Sequence, residues 1–193
     1  LGVRAAANAC GLRPGVASHL LLLSVGYGTN APNQPMTLQQ ARNYWYHWFM
    51  ATPRGAQAVR EQGLSLCQMM WDTWGPSGWY RPEEFQDAAR AFEGDDWAEV
   101  VLHSYRQRSG FVAGDPSYAQ DAAKLQPAPV LELPTLVLHG AADTCNHPDS
   151  SKDRESYFQG PYARQELPGI GHFPQREAPE QVADSILRWT ALH

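Results

Sequence analysis

Two predominantly apolar runs, each followed by a glycine, constrain the fold more than any other feature of the chain. They are Leu20 to Val25 and Leu133 to His139, with Gly26 and Gly140 behind them. Runs of this length and composition are typical of parallel strands that are buried on both faces. A weaker pattern predicts a third strand at Ala163 to Leu167. Parallel strands need helical crossovers, so the sequence predicts a sheet covered by helices.

Helical patterns alternate with these strands. An alanine-rich helix is predicted at Val3 to Leu12, a connecting helix at Asp149 to Phe158 and an amphipathic closing helix at Pro179 to Leu192. The long segment from Met36 to Gln126 has no strand pattern and is rich in tryptophan and tyrosine. The chain is therefore predicted to be an α/β protein with an all-helical insertion.

The insertion is predicted to contain helices at about 38–51, 54–73, 82–92 and 96–108. Thr37 is the expected N-cap of the first, with Gln40 as its capping-box partner. We therefore expect residues 1–35 and 127–193 to form an α/β core, and residues 36–126 to form a helical cap or lid.

Composition excludes several classes of protein. The chain of 193 residues has a net charge of −5, which does not suggest nucleic acid or an anionic membrane as partner. Its longest apolar run is strand-sized, so no membrane span is predicted. Cys10, Cys67 and Cys145 are irregularly spaced and favour reduced thiols and a cytoplasmic location. The spacing of His139, Cys145 and His147 fits no usual zinc pattern, so no metal or cofactor is expected.

Two loops carry the candidate chemistry. Asp143 follows the second apolar run directly, at the strand end where α/β sheets place their sites, and His172 lies in a glycine-rich loop after the third strand. Either residue alone could be a turn cap or a solvated loop residue. Together they form a pair in which an ionised aspartate holds a histidine in one tautomer, so that the histidine acts as a general base.

This order of acid and histidine, with a helix and a strand between them, resembles the C-terminal part of the α/β-hydrolases. The likeness extends from Leu133 to His193, including Phe173 to Glu180 behind the histidine. It implies a nucleophile on an elbow of the form Gly-x-Ser/Asp-x-Gly, which this sequence lacks. The segment from Leu1 to Ala6 resembles the residues that come after the nucleophile in such an elbow. The nucleophile is thus expected just before Leu1, whose backbone N–H would be an oxyanion-hole donor.

The aromatic segments of the insertion resemble the caps of fluoroacetate dehalogenases and epoxide hydrolases. That resemblance implies a substrate pocket formed by Tyr46, His47, Trp48 and Tyr105. Arg4 matches one of the two arginines that hold a carboxylate in fluoroacetate dehalogenases, whereas Leu1 occupies the position of the other. Aromatic residues at this spacing also pack in helical cores, so packing and substrate contact are both open.

The resemblance implies a cofactor-independent hydrolase of a small molecule. An aspartate nucleophile would open a C–halogen bond or an epoxide and a serine would cleave an ester, and the sequence leaves both open. The alternative is a truncated, non-catalytic fragment that acts as a binding or interaction module. The strand at Leu20 to Val25 would have an unpaired apolar edge. We therefore expect an N-terminal segment of the same protein, or self-association, to cover it, and no soluble monomer from this chain alone.

Overall fold

The core of the molecule is a three-stranded parallel sheet. The structure, a computed structural model, describes residues 2–29 and 35–193. Strands β1 (Leu20–Leu23), β2 (Thr135–Gly140) and β3 (Tyr162–Leu167) are arranged in the order β1-β2-β3. In this register Thr135 pairs with Leu20 on one side and with Tyr162 on the other. The three predicted parallel strands are confirmed.

The sheet is covered on both faces, as its apolar strands require. All six residues of β2 are buried. Helix α1 (Gly2–Leu12) packs through Ala7 and Cys10 on the face that presents Leu22 and Val137. On the opposite face lies the last helix of the chain, Pro179–Leu192, which packs through Val182 against the other side chains of β2. This alternation follows from the side-chain period of two along a strand.

The residues between β1 and β2 that the structure describes form helices and turns. The helices are α2 (Leu38–Asn43), α3 (Trp45–Ala51), α4 (Pro53–Trp74), α5 (Pro82–Ala89), α6 (Trp97–Arg108) and α7 (Ala119–Lys124). After β3 come α8 (Pro174–Glu177) and α9 (Pro179–Leu192). The helical cap is thus confirmed. Helix α7 of the cap and helix α8 after β3 were not predicted. The single helix expected at about 38–51 is two helices, because the backbone leaves helical geometry at Tyr44 (φ −86°, ψ 20°).

The helix predicted at Asp149 to Phe158 is wrong. Two short 3₁₀ turns, Pro148–Ser151 and Glu155–Tyr157, lie there, and Asp153 between them has a φ of 55°. A left-handed residue cannot continue a helix. Ser151 is fully buried, and its hydroxyl bonds to His139 of β2. This tertiary contact takes precedence over the local helical preference.

The cap has a small apolar core of its own. Its buried members are Tyr46, Met50, Ala56, Val59, Leu66, Met70 and Leu102, and Cys145 from the loop after β2 packs among them. The cap is therefore held against the end of the sheet that carries Asp143. No helix within residues 2–29 and 35–193 combines the length and apolarity needed to cross a membrane.

Candidate active site

Asp143 lies in the turn directly after β2 and has both carboxylate oxygens occupied. Its Oδ1 accepts the backbone N–H groups of Cys145 and Asn146, each at 2.8 Å. Its Oδ2 lies 2.8 Å from Nδ1 of His172. The side chain is only 3% exposed. The two backbone bonds form an Asx turn, which fixes the carboxylate while Oδ2 faces the histidine.

His172 is held by the residues around it. Its backbone N–H donates to the carbonyl of Trp74 at the end of α4 (2.9 Å). The carboxylate of Glu177 accepts the backbone N–H of Gly171 (2.5 Å) and that of Phe173 (2.8 Å), one on each side of the histidine. The imidazole lies edge-on to the Trp74 ring, 5.4 Å between centroids. Cap and core therefore share in placing this side chain.

Two glycines allow the acid loop and the histidine loop to approach. A Cβ on Gly140 would lie 2.1 Å from the carbonyl oxygen of Gly171, and a Cβ on Gly171 would lie 2.4 Å from Cα of Gly75. Both distances are far below contact. A side chain at Gly140 would push the acid loop from the histidine loop, and one at Gly171 would push the histidine loop from the cap. The glycines of the two sequence motifs thus let Asp143 and His172 meet.

The hydrogen bond between Asp143 and His172 changes the pKa of both side chains. Burial raises the pKa of Asp143, but hydrogen bonds from His139 and His172 outweigh burial and bring it below 3.8. Burial lowers the pKa of His172, but its hydrogen bonds with Asp143 and Cys145 raise the pKa above 6.5 overall. An ionised Asp143 therefore accepts the Nδ1 proton of His172, and Nε2 is the proton-accepting atom whenever the ring is neutral.

His139 is a second histidine at the acid and was not among the predicted site residues. It is fully buried, and its Nε2 lies 3.3 Å from Oδ2 of Asp143. One feature of the sequence could have predicted that His139 has buried partners. A polar residue at the end of a buried strand, on the same face as Val137, must find partners inside the protein.

Cys145 also lies beside the pair and was not predicted from the sequence. Its thiol is 2% exposed, lies 3.5 Å from the hydroxyl of Tyr46 and contacts His172. Tyr46 belongs to α3 of the cap, so this contact joins the cap to the acid loop. The available signal was its position two residues after Asp143, within the turn that wraps the carboxylate.

Three of the predicted pocket residues, Tyr46, His47 and Tyr105, lie together within the cap. The imidazole of His47 is 4.5 Å from the Tyr46 ring and 5.0 Å from the Tyr105 ring, between centroids. His47 is 6% exposed, and its Nε2 has no hydrogen-bond partner among the described residues. Burial, helped by the guanidinium groups of Arg108 and Arg4, lowers the pKa of His47 to about 3. The ring is therefore neutral at neutral pH.

Arg4 approaches the same cluster from α1. Its Nη1 is buried and has no hydrogen-bond partner among the described residues. Burial and the neighbouring Arg108 lower the pKa of Arg4. Arg108 itself lies over the Tyr105 ring, 5.0 Å from its centroid. Two cations and a neutral imidazole thus converge on one region without a carboxylate bonded to either arginine in the part of the chain that is described.

Trp48 is not brought to this cluster. Its side chain is 47% exposed, and its indole N–H donates to the carbonyl of Ala41 (3.2 Å) on the outside of the cap. A helix turns 100° per residue, so the neighbour of two inward-facing residues points away from them. The remaining predicted site residue, Leu1, lies outside the described residues.

Gln40 joins the cap to the acid loop. Its side-chain amide donates to the carbonyl of Cys145 (3.0 Å) and accepts the backbone N–H of His147 (2.7 Å). Thr37 caps α2 as predicted, accepting the N–H of Gln40 at 3.1 Å. The expected capping box is nevertheless wrong, because the Gln40 side chain is used in these contacts instead.

In the described ranges no cluster of histidine, cysteine and acidic residues could hold a metal ion.

Comparison with solved structures shows the same architecture. A protein from Klebsiella pneumoniae described as an epoxide hydrolase matches 97% of this chain with 27% identity and a TM-score of 0.87. The Bacillus megaterium epoxide hydrolase and a haloalkane dehalogenase from Bradyrhizobium elkanii, each 16% identical over 96% of the chain, have TM-scores of 0.72 and 0.70. The matched region is 63%, 64% and 63% of those three chains, respectively.

No family model matches the sequence, and no curated protein does either. The assignment therefore rests on the fold, which these three structures share over nearly the whole of this chain. The chain has the α/β-hydrolase fold and carries a helical cap that resembles the caps of the epoxide hydrolases.

Proposed function

We propose that the protein is a cofactor-independent hydrolase of a small molecule, in which His172 is the general base and Asp143 orients it. The observation that carries the proposal is the 2.8 Å contact between Nδ1 of His172 and Oδ2 of Asp143. Burying an ionised carboxylate costs free energy unless it is hydrogen-bonded, and two backbone N–H groups already satisfy Oδ1 of Asp143. A purely structural turn does not require the other oxygen to face a loop histidine. We further propose that the nucleophile directly precedes Leu1, which would supply an oxyanion-hole donor.

In this proposal His172 removes a proton from water at its Nε2 atom. The charge that develops on the imidazole is stabilised by the carboxylate of Asp143, which remains ionised. The activated water then hydrolyses the covalent intermediate that substrate and nucleophile have formed. The resulting proton leaves His172 for the product or solvent, which returns the pair to its starting state.

Among the three candidate bonds, an epoxide C–O bond is favoured by two tyrosines of the cap, the buried Tyr46 and the partly buried Tyr105. The rings of Tyr46 and Tyr105 lie 5.4 Å apart, between centroids, and next to His47. Burial raises the pKa of both hydroxyl groups, so both stay protonated at neutral pH. An O–H donor that stays protonated can stabilise the alkoxide formed when the ring opens. The similarity to epoxide hydrolases supports the same choice.

The cationic region suggests that the substrate carries a negative charge away from the reacting bond. Arg4 and Arg108 face the pocket cluster without a bonded carboxylate in the described residues. Comparing KM for an epoxy acid with KM for its methyl ester would separate binding of the negative charge from opening of the epoxide. We expect Arg108→Gln to raise KM for the acid about tenfold and to leave KM for the ester unchanged. The matched control is Arg60→Gln, whose side chain is paired with Glu99 on the surface.

The proposed function is tested with a panel of epoxides, p-nitrophenyl esters and haloacids. We expect the complete protein, which includes the residues before Leu1, to turn over at least one member of the panel. His172→Gln should abolish that turnover and leave the melting temperature close to that of the unmodified protein. Turnover that survives His172→Gln would refute the role of His172. No turnover of any panel member would favour the non-catalytic binding module instead.

We also propose that residues 36–126 form the cap domain, and residues 1–35 and 127–193 the core. Further strands of the same protein, or a second copy, would pair with the free edge of β1. Size-exclusion chromatography with light scattering of this chain alone tests this pairing. A monodisperse monomer of 21.5 kDa that melts cooperatively would contradict it.

A further inference from the structure

The acid of the site has two imidazole neighbours. Besides His172, the fully buried His139 places its Nε2 3.3 Å from Oδ2 of Asp143 and 2.9 Å from the carbonyl oxygen of Asn146. A carbonyl can only accept, so Nε2 of His139 must carry a proton. That N–H group therefore donates to the carbonyl, and the carboxylate oxygen that His172 uses lies 3.3 Å from the same nitrogen.

The other side of the His139 ring is also held. Its Nδ1 lies 2.8 Å from the hydroxyl oxygen of Ser151, and that oxygen accepts Nε of Arg164 at 2.8 Å. Arg164 in turn donates through Nη2 to the carbonyl of Pro148 (2.9 Å). The result is a continuous chain of hydrogen bonds from β3, through the turn after the acid loop, to β2 and the acid. Each member restricts the next, so the ring cannot rotate without breaking two bonds.

We propose that His139 is a positioning residue for the acid: its Nε2–H group shares Oδ2 of Asp143 with His172, and Ser151 and Arg164 fix its ring. The inference rests on the proposed function, since it assigns His139 a role at the same pair. It extends that function by adding a second donor to the carboxylate. The expected consequence is that His139 withdraws part of the carboxylate's negative charge and so limits how basic His172 becomes.

The test is an NMR titration of the protein with ¹⁵N-labelled histidine, with His172 assigned through His172→Gln. In His139→Leu, which has no donor, we expect the pKa of His172 to rise by about half a unit, because Oδ2 then accepts from His172 alone. In His139→Gln, whose amide can still donate, the rise should be smaller. An unchanged or lowered pKa of His172 in His139→Leu would overturn the proposal.

Two further variants keep the test decisive. Val137→Ala removes a buried side chain (1% exposed) from the same strand and face, so it should lower the melting temperature and leave the pKa of His172 unchanged. A shift as large as that of His139→Leu would show a packing effect and overturn the proposal. If His139→Leu does not fold, Ser151→Ala loosens the His139 ring and should move the pKa in the same direction by a smaller amount. No shift in Ser151→Ala would then overturn it.

Turnover separates this inference from the proposed function. With a substrate from the panel, His139→Leu should lower kcat about tenfold with KM unchanged, whereas Val137→Ala should keep kcat within about twofold. A protein that hydrolyses none of the panel would contradict the proposed function, while the titration would still decide whether His139 controls the acid. An unchanged kcat in a folded His139→Leu would count against the positioning role.

Discussion

The Nδ1 atom of His172 lies 2.8 Å from Oδ2 of Asp143, although 29 residues of chain separate them. The loops that carry them come after neighbouring parallel strands, β2 and β3, whose carboxyl ends meet at one edge of the sheet. The cap closes over this edge through Gln40 and Trp74. The pair, the aromatic cluster of the cap and the contacts that hold them can each be tested by substitution.

The pH dependence of turnover should depend on the Asp143 carboxylate, which raises the pKa of His172. Because His172 must be neutral to accept a proton and its pKa is raised above 6.5, kcat/KM should increase with pH through a midpoint above 6.5. In Asp143→Asn the carboxylate is lost while burial still lowers the pKa, so the midpoint should move down and kcat should fall on the order of 10³-fold. Asp149→Asn, in an exposed acid of the same loop, is the control. A midpoint that is identical in all three proteins would contradict the assignment of His172 as the base.

Tyr46 should contribute to the reaction, whereas Trp48 should not. Tyr46→Phe removes the buried hydroxyl that lies 3.5 Å from the Cys145 thiol, and we expect kcat for an epoxide to fall about 10²-fold. Trp48→Phe changes a side chain that is 47% exposed and should leave kcat and KM within about twofold. Steady-state kinetics of the two variants side by side measure this difference. A kcat of Tyr46→Phe within about twofold of the unmodified protein would contradict the role of Tyr46.

Gln40 should stabilise the attachment of the cap. Gln40→Leu leaves the carbonyl of Cys145 and the N–H of His147 without their partner, so the free energy of unfolding should fall by about 2 kcal/mol. The side chain of the neighbouring Gln39 bonds to Asn43, four residues further along the same helix. Gln39→Leu should therefore change the free energy by no more than about 0.5 kcal/mol. Urea unfolding measures both, and similar losses would refute a special role for Gln40.

Glu177 should fix the position of the His172 side chain by holding the loop on both sides of it, without being required for the overall fold. Glu177→Ala removes both hydrogen bonds that flank His172, and we expect kcat to fall about tenfold because the imidazole loses its fixed position. Glu180→Ala, at an exposed position of α9, is the matched control and should retain full activity. Rescue of kcat in Glu177→Gln would be partial, since one amide oxygen can accept only one of the two N–H groups well. Full activity of Glu177→Ala would show that the loop is fixed by other contacts.

The sequence by itself determined the strands and the acid–histidine pair. Leu20 to Leu23 and Thr135 to Gly140 are predominantly apolar because both faces of the sheet are covered, and that pattern is local. Asp143 and His172 could be predicted because a residue just after a parallel strand is placed at the sheet's carboxyl edge by the topology alone.

Only the tertiary structure decided how the site is completed. Gln40 has the pattern of a capping residue, yet its side chain bonds to a residue 105 positions away. Ser151 lies in a segment with helical composition, yet its bond to His139 holds it in a 3₁₀ turn. Trp48 has the same aromatic character as its neighbours and faces outward because of the helical period. Such contacts join residues that are distant along the chain, so the periodicity of a short segment carries no information about them.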